Sequence, residues 1–275
     1  MQTTLLTPKT REKTSRRNKG QGTKNKMRTR HKYILQYADV DASRHIRLSD
    51  LEKYLLEAGG VSANQMGFGT DDILERYNCA WVLIHLTIQM DYLPKYLDEM
   101  IVETWVEGNY HMFSIRNYNL YIRKDGEDFL VGRAASTWTL LNMSTRQVDT
   151  RGFEEASWDH IIDPTKQNFP RISRLQKIEE PTGSLPHTIH YSDLDYNNHC
   201  NSCKYLQFML NADDRLTTIY PIRLDINYVK EVYKDERIRV DVLEKKDEQG
   251  NLQSLQYCLL AEDGDISCTA LLQHV

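Results

Sequence analysis

No apolar run in this 275-residue chain approaches the ~18 residues of a membrane-crossing helix, so no membrane span is expected. Cysteine is scarce and odd in number. Cys79, Cys200, Cys203, Cys258 and Cys268 follow no secretory apolar segment, which argues against a disulfide framework and for reduced thiols in a cytoplasm. Cys200 and Cys203 have C-x-x-C spacing, but neither further soft ligands for zinc nor a thioredoxin-like setting accompanies them. They read as small residues facing a helix, and no metal or other cofactor is expected. Acidic residues are nearly absent from residues 1 to 32, where eleven Lys or Arg meet the single acid Glu12. The local balance of +10 leaves −14 for the rest of a chain whose net charge is −4. This segment also lacks large apolar side chains, so it cannot offset its ordering entropy and is expected to be a disordered basic tail. Its composition fits a transit peptide, a contact with nucleic acid or an acidic protein, or no role at all. It lacks the apolar spacing of a helix-turn-helix, so no nucleic-acid partner is expected.

What the remainder has is a globular composition, 40% hydrophobic and 27% charged, and enough length for one large domain or two smaller ones. An internal repeat with an offset of 154 positions favours two. Residues 39 to 55 read DVDASRHIRLSDLEKYL and residues 193 to 210 read DLDYNNHCNSCKYLQFML, so Asp39, Asp41 and His45 fall on Asp193, Asp195 and His199. Each copy runs into a helix. In the first, Leu51, Tyr54, Leu55 and Ala58 share a face, Ser49 and Glu52 suggest a capping box, and Gly59-Gly60 suggests a stop. In the second, Tyr205, Leu206, Met209 and Leu210 share a face, extended by Ala212. Strand-like segments rich in β-branched and aromatic residues follow both: 80–92, 98–107, 110–123 and 129–141, then 221–230, 235–245, 252–261 and 266–274. Residues 143 to 185, with Pro164, Pro170 and Pro181, read as a long connection. The expected class is α+β, a tandem (double) hotdog in which two helix-on-antiparallel-sheet units form a pseudo-dimer. Its parts are a tail at 1–32, a first unit at 33–150, a linker at 151–185 and a second unit at 186–275.

The densest polar cluster, DLDYNNHCNS at 193–202, sits at the start of the second helix. A helix start offers unpaired amides and partial positive charge to a carbonyl whose oxygen gains charge during reaction. In an extended segment Asp195, Asn197 and His199 would project the same way. Asp, Asn and Ser also cap helices without any catalytic role, and the cluster alone does not separate the two readings.

Several segments in order carry a resemblance that covers nearly all of residues 33 to 275. DLDYNNHCNSCKYL resembles the D-L-D-x-N-x-H-x-N-x-x-K-Y signature of the plant-type acyl-carrier-protein thioesterases. WVLIHLTIQMDYLPKYLDEMIVETWV at 81–106 and RAASTWTLLNMSTRQV at 133–148 are similar to that family's tryptophan-containing strands and its R-A-S-S-x-W-x-x-M-N-x-x-T-R-R segment. INYVKEVYKDE places Glu231 on the acid of the family's Y-R-R-E-C segment, with Val232 where the family has cysteine. The resemblance implies hydrolysis of fatty acyl thioesters of acyl carrier protein by Asp195, Asn197, His199 and Glu231. The Val232 departure favours attack by water over a cysteine nucleophile at that position.

The first copy does not keep the polar set. Asn197 becomes Ser43, Asn201 becomes Arg47, and the region matching Glu231 falls near Pro94. The second unit is therefore expected to hold the chemistry and the first to help build an acyl pocket, with Met66, Phe68, Trp81 and Leu83 as candidate walls that would serve equally as ordinary core. An acidic carrier protein meeting an acidic enzyme body needs a local basic patch, for which Arg116, Arg123, Arg133 and Arg146 or the tail are candidates. The chain is expected to act as a monomer or homodimer. A coenzyme A thioesterase of the hotdog fold, which the D-x-D-x-x-x-H pattern also resembles, is the near alternative, and a non-enzymatic acyl sensor with a DNA-contacting tail a remote one.

Overall fold

Among the described residues, segments rich in β-branched and aromatic side chains build most of the ten strands, and apolar residues at helical spacing build two main helices. The computed structural model describes residues 27–156, 158–170 and 175–275. In chain order it has β1 (Thr29–Ile34), α1 (Leu48–Gln65), α2 (Thr70–Tyr77), β2 (Cys79–Met90), β3 (Glu99–Tyr110), β4 (Phe113–Lys124), β5 (Glu127–Asn142) and the single turn α3 (Arg151–Glu154). The second half adds β6 (Gly183–Thr188), α4 (Ser202–Ala212), β7 (Ile222–Tyr228), β8 (Arg237–Lys246), β9 (Leu252–Ala261) and β10 (Ile266–His274). All ten strands form one sheet in the order β1-β3-β4-β5-β2-β7-β10-β9-β8-β6. Read outward from its centre, each half repeats the same succession, so the repeat in the sequence is a pseudo-dimer in space, a double hotdog.

The halves join where β2 pairs antiparallel with β7, Leu86 opposite Ile226, Ile88 opposite Leu224 and Met90 opposite Ile222. These six side chains are buried, and one apolar core runs through both halves beneath α1 and α4. On the opposite face of the seam the buried Arg223 Nε donates to Asp225 Oδ2 at 2.8 Å, and Thr87 Oγ1 donates to Asp225 Oδ1 at 2.7 Å. Of these contacts only the Thr87–Asp225 hydrogen bond crosses between the halves; the Arg223–Asp225 pair lies within β7 and neutralises the buried carboxylate that accepts it, so removing Arg223 would strand a buried charge at the seam.

Four local expectations are corrected. Residues 29–32 are not tail but part of β1, which pairs with β3, and Arg28 and Arg30 are held by Asp163 and Asp128; residues 1–26 lie outside the described residues. Gly59-Gly60 does not stop α1, which continues to Gln65. A Cβ on Gly59 would come within 2.8 Å of the Tyr118 hydroxyl and 3.1 Å of Arg116 Cδ, so the residue permits close approach of helix to sheet. The capping box of Ser49 and Glu52 is absent: Arg47 takes the cap position, and Glu52 is buried in the core. The connection at 151–185 is not bare loop: it carries α3 and the start of β6, and its Trp158 stacks on Phe68 with centroids 3.9 Å apart.

Candidate active site

The polar cluster folds as a closed loop before α4, and not as the extended segment expected. Asp195 N–H donates to the His199 carbonyl at 2.8 Å, while Asp195 Oδ1 accepts the amides of Asn197 at 2.8 Å and His199 at 3.2 Å. Asn198 turns the chain with a left-handed φ of 61°, a conformation asparagine tolerates better than most residues. The Asp195 carboxylate thus shapes the loop that carries the other two side chains. Asp195, Asn197, His199 and Glu231 nonetheless line one cavity.

Glu231 follows β7 and is brought to the loop by two backbone contacts. The Cys200 amide donates to the Val232 carbonyl at 2.8 Å, and His199 bridges to Tyr233. The result places His199 Nδ1 at 3.4 Å from Glu231 Oε1. The other carboxylate oxygen accepts from Arg146 Nη2 at 2.6 Å and from the Tyr233 hydroxyl at 3.0 Å, and the Tyr233 ring stands edge-on to the imidazole with centroids 5.1 Å apart. Two donors on Oε2 leave Oε1 turned to the imidazole.

Arg146, a carrier-contact candidate in the sequence, is exposed and also pairs with Glu231. It comes from the first half, on a turn after β5 where its φ is 59°, and it binds the acid of the second half. Arg116 departs from expectation: it is only 7% exposed and lines the cavity, so it offers no carrier-protein contact. Arg123 is held by Asp128 and Glu99, and Arg133 is exposed opposite Asn119 on the sheet face away from Arg116. The four do not form one basic patch. Tyr233 was missed as a site residue, and Arg146 was singled out only as a carrier-protein contact, because only the fold brings the β5 turn and the β7 end together; the T-R motif at 145–146 was the one signal in the sequence.

The helix start is largely committed to its own structure. The Asn201 side chain caps α4 by accepting the Cys203 amide at 3.0 Å, and the Asn201 amide donates to the Asp193 carbonyl at 2.9 Å. Among the described hydrogen bonds, the Ser202 amide and the Asn197 side-chain amide are left without an acceptor. Both residues line the cavity, so these two donors can serve a carbonyl there. Neither nearby thiol suits a nucleophile: burial pushes Cys200 up to about 12, and burial raises Cys203 further, helped by the charge of Glu52.

The cavity measures about 740 Å³ and runs from the polar loop along α1. Met66, Phe68, Trp81 and Leu83 all line it, and the linker adds Trp158 and Ile161, which the sequence did not single out. Trp81 is fixed by its Nε1 donating to the Phe68 carbonyl at 3.0 Å. Glu52 lies between α1 and α4, where the Tyr228 hydroxyl donates to its Oε1 at 2.6 Å. Burial raises its carboxyl to about 7, against the lowering influence of Tyr228, Ser202 and Cys203. Among the described residues, no cluster of His, Cys, Asp and Glu is arranged to hold a metal ion, and no helix is long and apolar enough to cross a membrane.

Comparison with known proteins gives this geometry a family. Residues 26–151 match the acyl-ACP thioesterase N-terminal domain, and residues 176–274 match the acyl-ACP thioesterase C-terminal domain. An acyl-ACP thioesterase from Bacteroides thetaiotaomicron has a similar structure, with a TM-score of 0.78 and 26% identity over 90% of this chain and 98% of that one. The 12:0-ACP thioesterase of Umbellularia californica shares the fold, with a TM-score of 0.77 and 21% identity over 90% of this chain and 93% of that one. An oleoyl-acyl carrier protein thioesterase of Coriandrum sativum is 23% identical over 198 residues, 66% of this chain and 53% of that protein. The chain thus spans about half the length of the curated relatives it matches. With both halves matched in order across most of its length, the chain belongs to the acyl-ACP thioesterase family.

Proposed function

We propose that the protein hydrolyses fatty acyl thioesters of acyl carrier protein, releasing the fatty acid and the carrier thiol and so ending or diverting chain elongation. The observation that carries this reading is the His199–Glu231 contact of 3.4 Å at one end of a 740 Å³ cavity whose walls are largely apolar. A thioester carbonyl needs little activation, because sulfur donates weakly to it, so a placed base and oxyanion donors suffice. His199 takes the proton of a water that attacks the carbonyl carbon, and Glu231, steadied by Arg146 and Tyr233, orients the imidazole and balances its charge. The Asn197 side-chain amide and the Ser202 amide receive the oxyanion. Collapse of the tetrahedral adduct breaks the carbon–sulfur bond, and the imidazolium returns its proton to the departing thiol. Asp195 acts through the loop it closes. The five free thiols agree with a reducing compartment, and the reading places the enzyme in the cytoplasm.

The test compares kcat/KM for one acyl group carried on acyl carrier protein and on coenzyme A. Faster turnover of the carrier-linked substrate is expected. Equal or better turnover of the coenzyme A ester would move the assignment to the coenzyme A branch, and absence of hydrolysis of either would end the enzymatic reading.

A further inference from the structure

Arg116 is a cation in the wrong place for a channel that holds plain hydrocarbon. It lies on β4, faces α1, is 7% exposed and lines the same cavity as Phe68 and Trp81. Its Nη1 donates to Thr104 Oγ1 at 3.2 Å, and among the described residues no carboxylate stands beside the guanidinium. The other guanidinium nitrogens have no protein acceptor among the described hydrogen bonds. The surroundings are polar as well: Ser114 lines the cavity two residues away, and Ser136, opposite Arg116 on β5, is hydrogen-bonded by Trp138 Nε1 at 2.7 Å and paired with the Tyr118 hydroxyl at 3.2 Å. Gly59 leaves room for the arginine, since a Cβ there would meet Arg116 Cδ at 3.1 Å.

A buried guanidinium with unused donors is costly unless something supplies acceptors. Solvent entering the cavity can do so. An alkyl chain that displaces this water would leave the charge bare, whereas a chain bearing an oxygen at that depth would replace it. Sites built around a buried donor reject analogues lacking the matching acceptor far more strongly than apolar pockets reject a change in length.

We infer that Arg116 is a specificity-determining residue that selects acyl chains bearing an oxygen acceptor along their length: a hydroxyl, an oxo group or a terminal carboxylate. The inference rests on the thioesterase reading and names the substrate class within it. Charge-assisted hydrogen bonds are the strong ones, so the preference is expected to reach ~10-fold or more in kcat/KM.

The experiment uses the whole chain with carrier-protein thioesters of one length: the plain saturated chain, a series hydroxylated at successive carbons, and one ending in a carboxyl. At least one oxygenated member is expected to be cleaved ~10-fold faster than the plain chain, and the position of the best member locates the guanidinium. Arg116→Met, close in length but without charge, is expected to abolish the preference, read as the ratio of kcat/KM for the best oxygenated chain to that for the plain chain. Displacement of a fluorescent fatty acid by the corresponding free acids reads the cavity without turnover, so it decides the matter even if no thioester is cleaved or the variant does not fold. A wild-type protein that prefers or equally accepts the plain chain in both assays, or an Arg116→Met protein that keeps the wild-type ranking, overturns the inference.

Discussion

The loop at 39–47 and the loop at 193–201 have nearly the same backbone and different side chains, and the contrast separates the residues that build the loop from those proposed to react. Asp41 N–H donates to the His45 carbonyl at 2.9 Å, and Asp41 Oδ1 accepts the amides of Ser43 at 2.8 Å and His45 at 3.2 Å, as Asp195 does for its own loop. Arg44 takes a left-handed φ of 65° where Asn198 has 61°. Ile46 donates to the Pro94 carbonyl as Cys200 donates to that of Val232, so the position corresponding to Glu231 is Leu93. His45 Nδ1 meets the Ser43 hydroxyl at 2.9 Å instead of a carboxylate. A second cavity of about 660 Å³ lies beside this loop, bordered by Asp41, Leu93 and residues of α4, without an acid in the place of Glu231. The shared Asp makes the loop; the Asn, the Glu and the partner of the imidazole Nδ1 are what differ.

Three changes probe that contrast. His199→Ala should lower kcat by ~10² or more, because it removes proton transfer in the transition state, while His45→Ala should stay within about two-fold. Comparable losses in both, measured as initial rates with one acyl-carrier-protein substrate, would mean that the first loop also reacts.

Glu52 is the next largest effect, and it concerns the seam between the halves. Its carboxyl is raised in the folded state from 4.5 to about 7, so the neutral form favours the fold. That contribution is whole below the unfolded value and is lost as pH climbs through the folded one, on the order of 3 kcal/mol between pH 4.5 and 7. Glu52→Gln keeps the shape and cannot ionise, so its Tm should exceed the wild type by ~5 to 10 °C at pH 8 and match it near pH 4. A wild-type Tm with the same pH profile as the variant would contradict the burial argument.

The smallest effect separates building from reacting within the aspartates. Asp41→Ala and Asp195→Ala should each cost ~1 kcal/mol in denaturant unfolding, through lost loop hydrogen bonds, but only Asp195→Ala should slow turnover. Equal effects of the two on turnover would remove the distinction.

Much of this was legible in the chain itself. The repeat exposed the duplicated fold, because a loop closed by Asp and followed by an apolar-faced helix leaves the same imprint twice, and eight strand segments showed by their β-branched and aromatic content. Edge strands β1 and β6 escaped, since half of β1 and most of β6 face solvent and their residues carry little apolar alternation. Asp195, Asn197, His199 and Glu231 were found together. Arg116 was misplaced because charge alone predicts a surface and only the register of β4 turns its guanidinium inward, while the pairing of Arg146 with Glu231 was not read because only the turn after β5 brings the two together. Glu52 read as a helix cap because its spacing from Ser49 suited one, whereas packing of α1 against α4 sets its direction.

The most direct measurement makes the second site resemble the first at one position. Glu231→Leu copies the residue found at Leu93 and leaves the loop hydrogen bonds of Asp195 untouched. With folding confirmed by circular dichroism, the account predicts that kcat on acyl-carrier-protein substrate falls at least ~10² below wild type. Near-normal turnover in that variant would contradict the pairing of Glu231 with His199 as the source of catalysis.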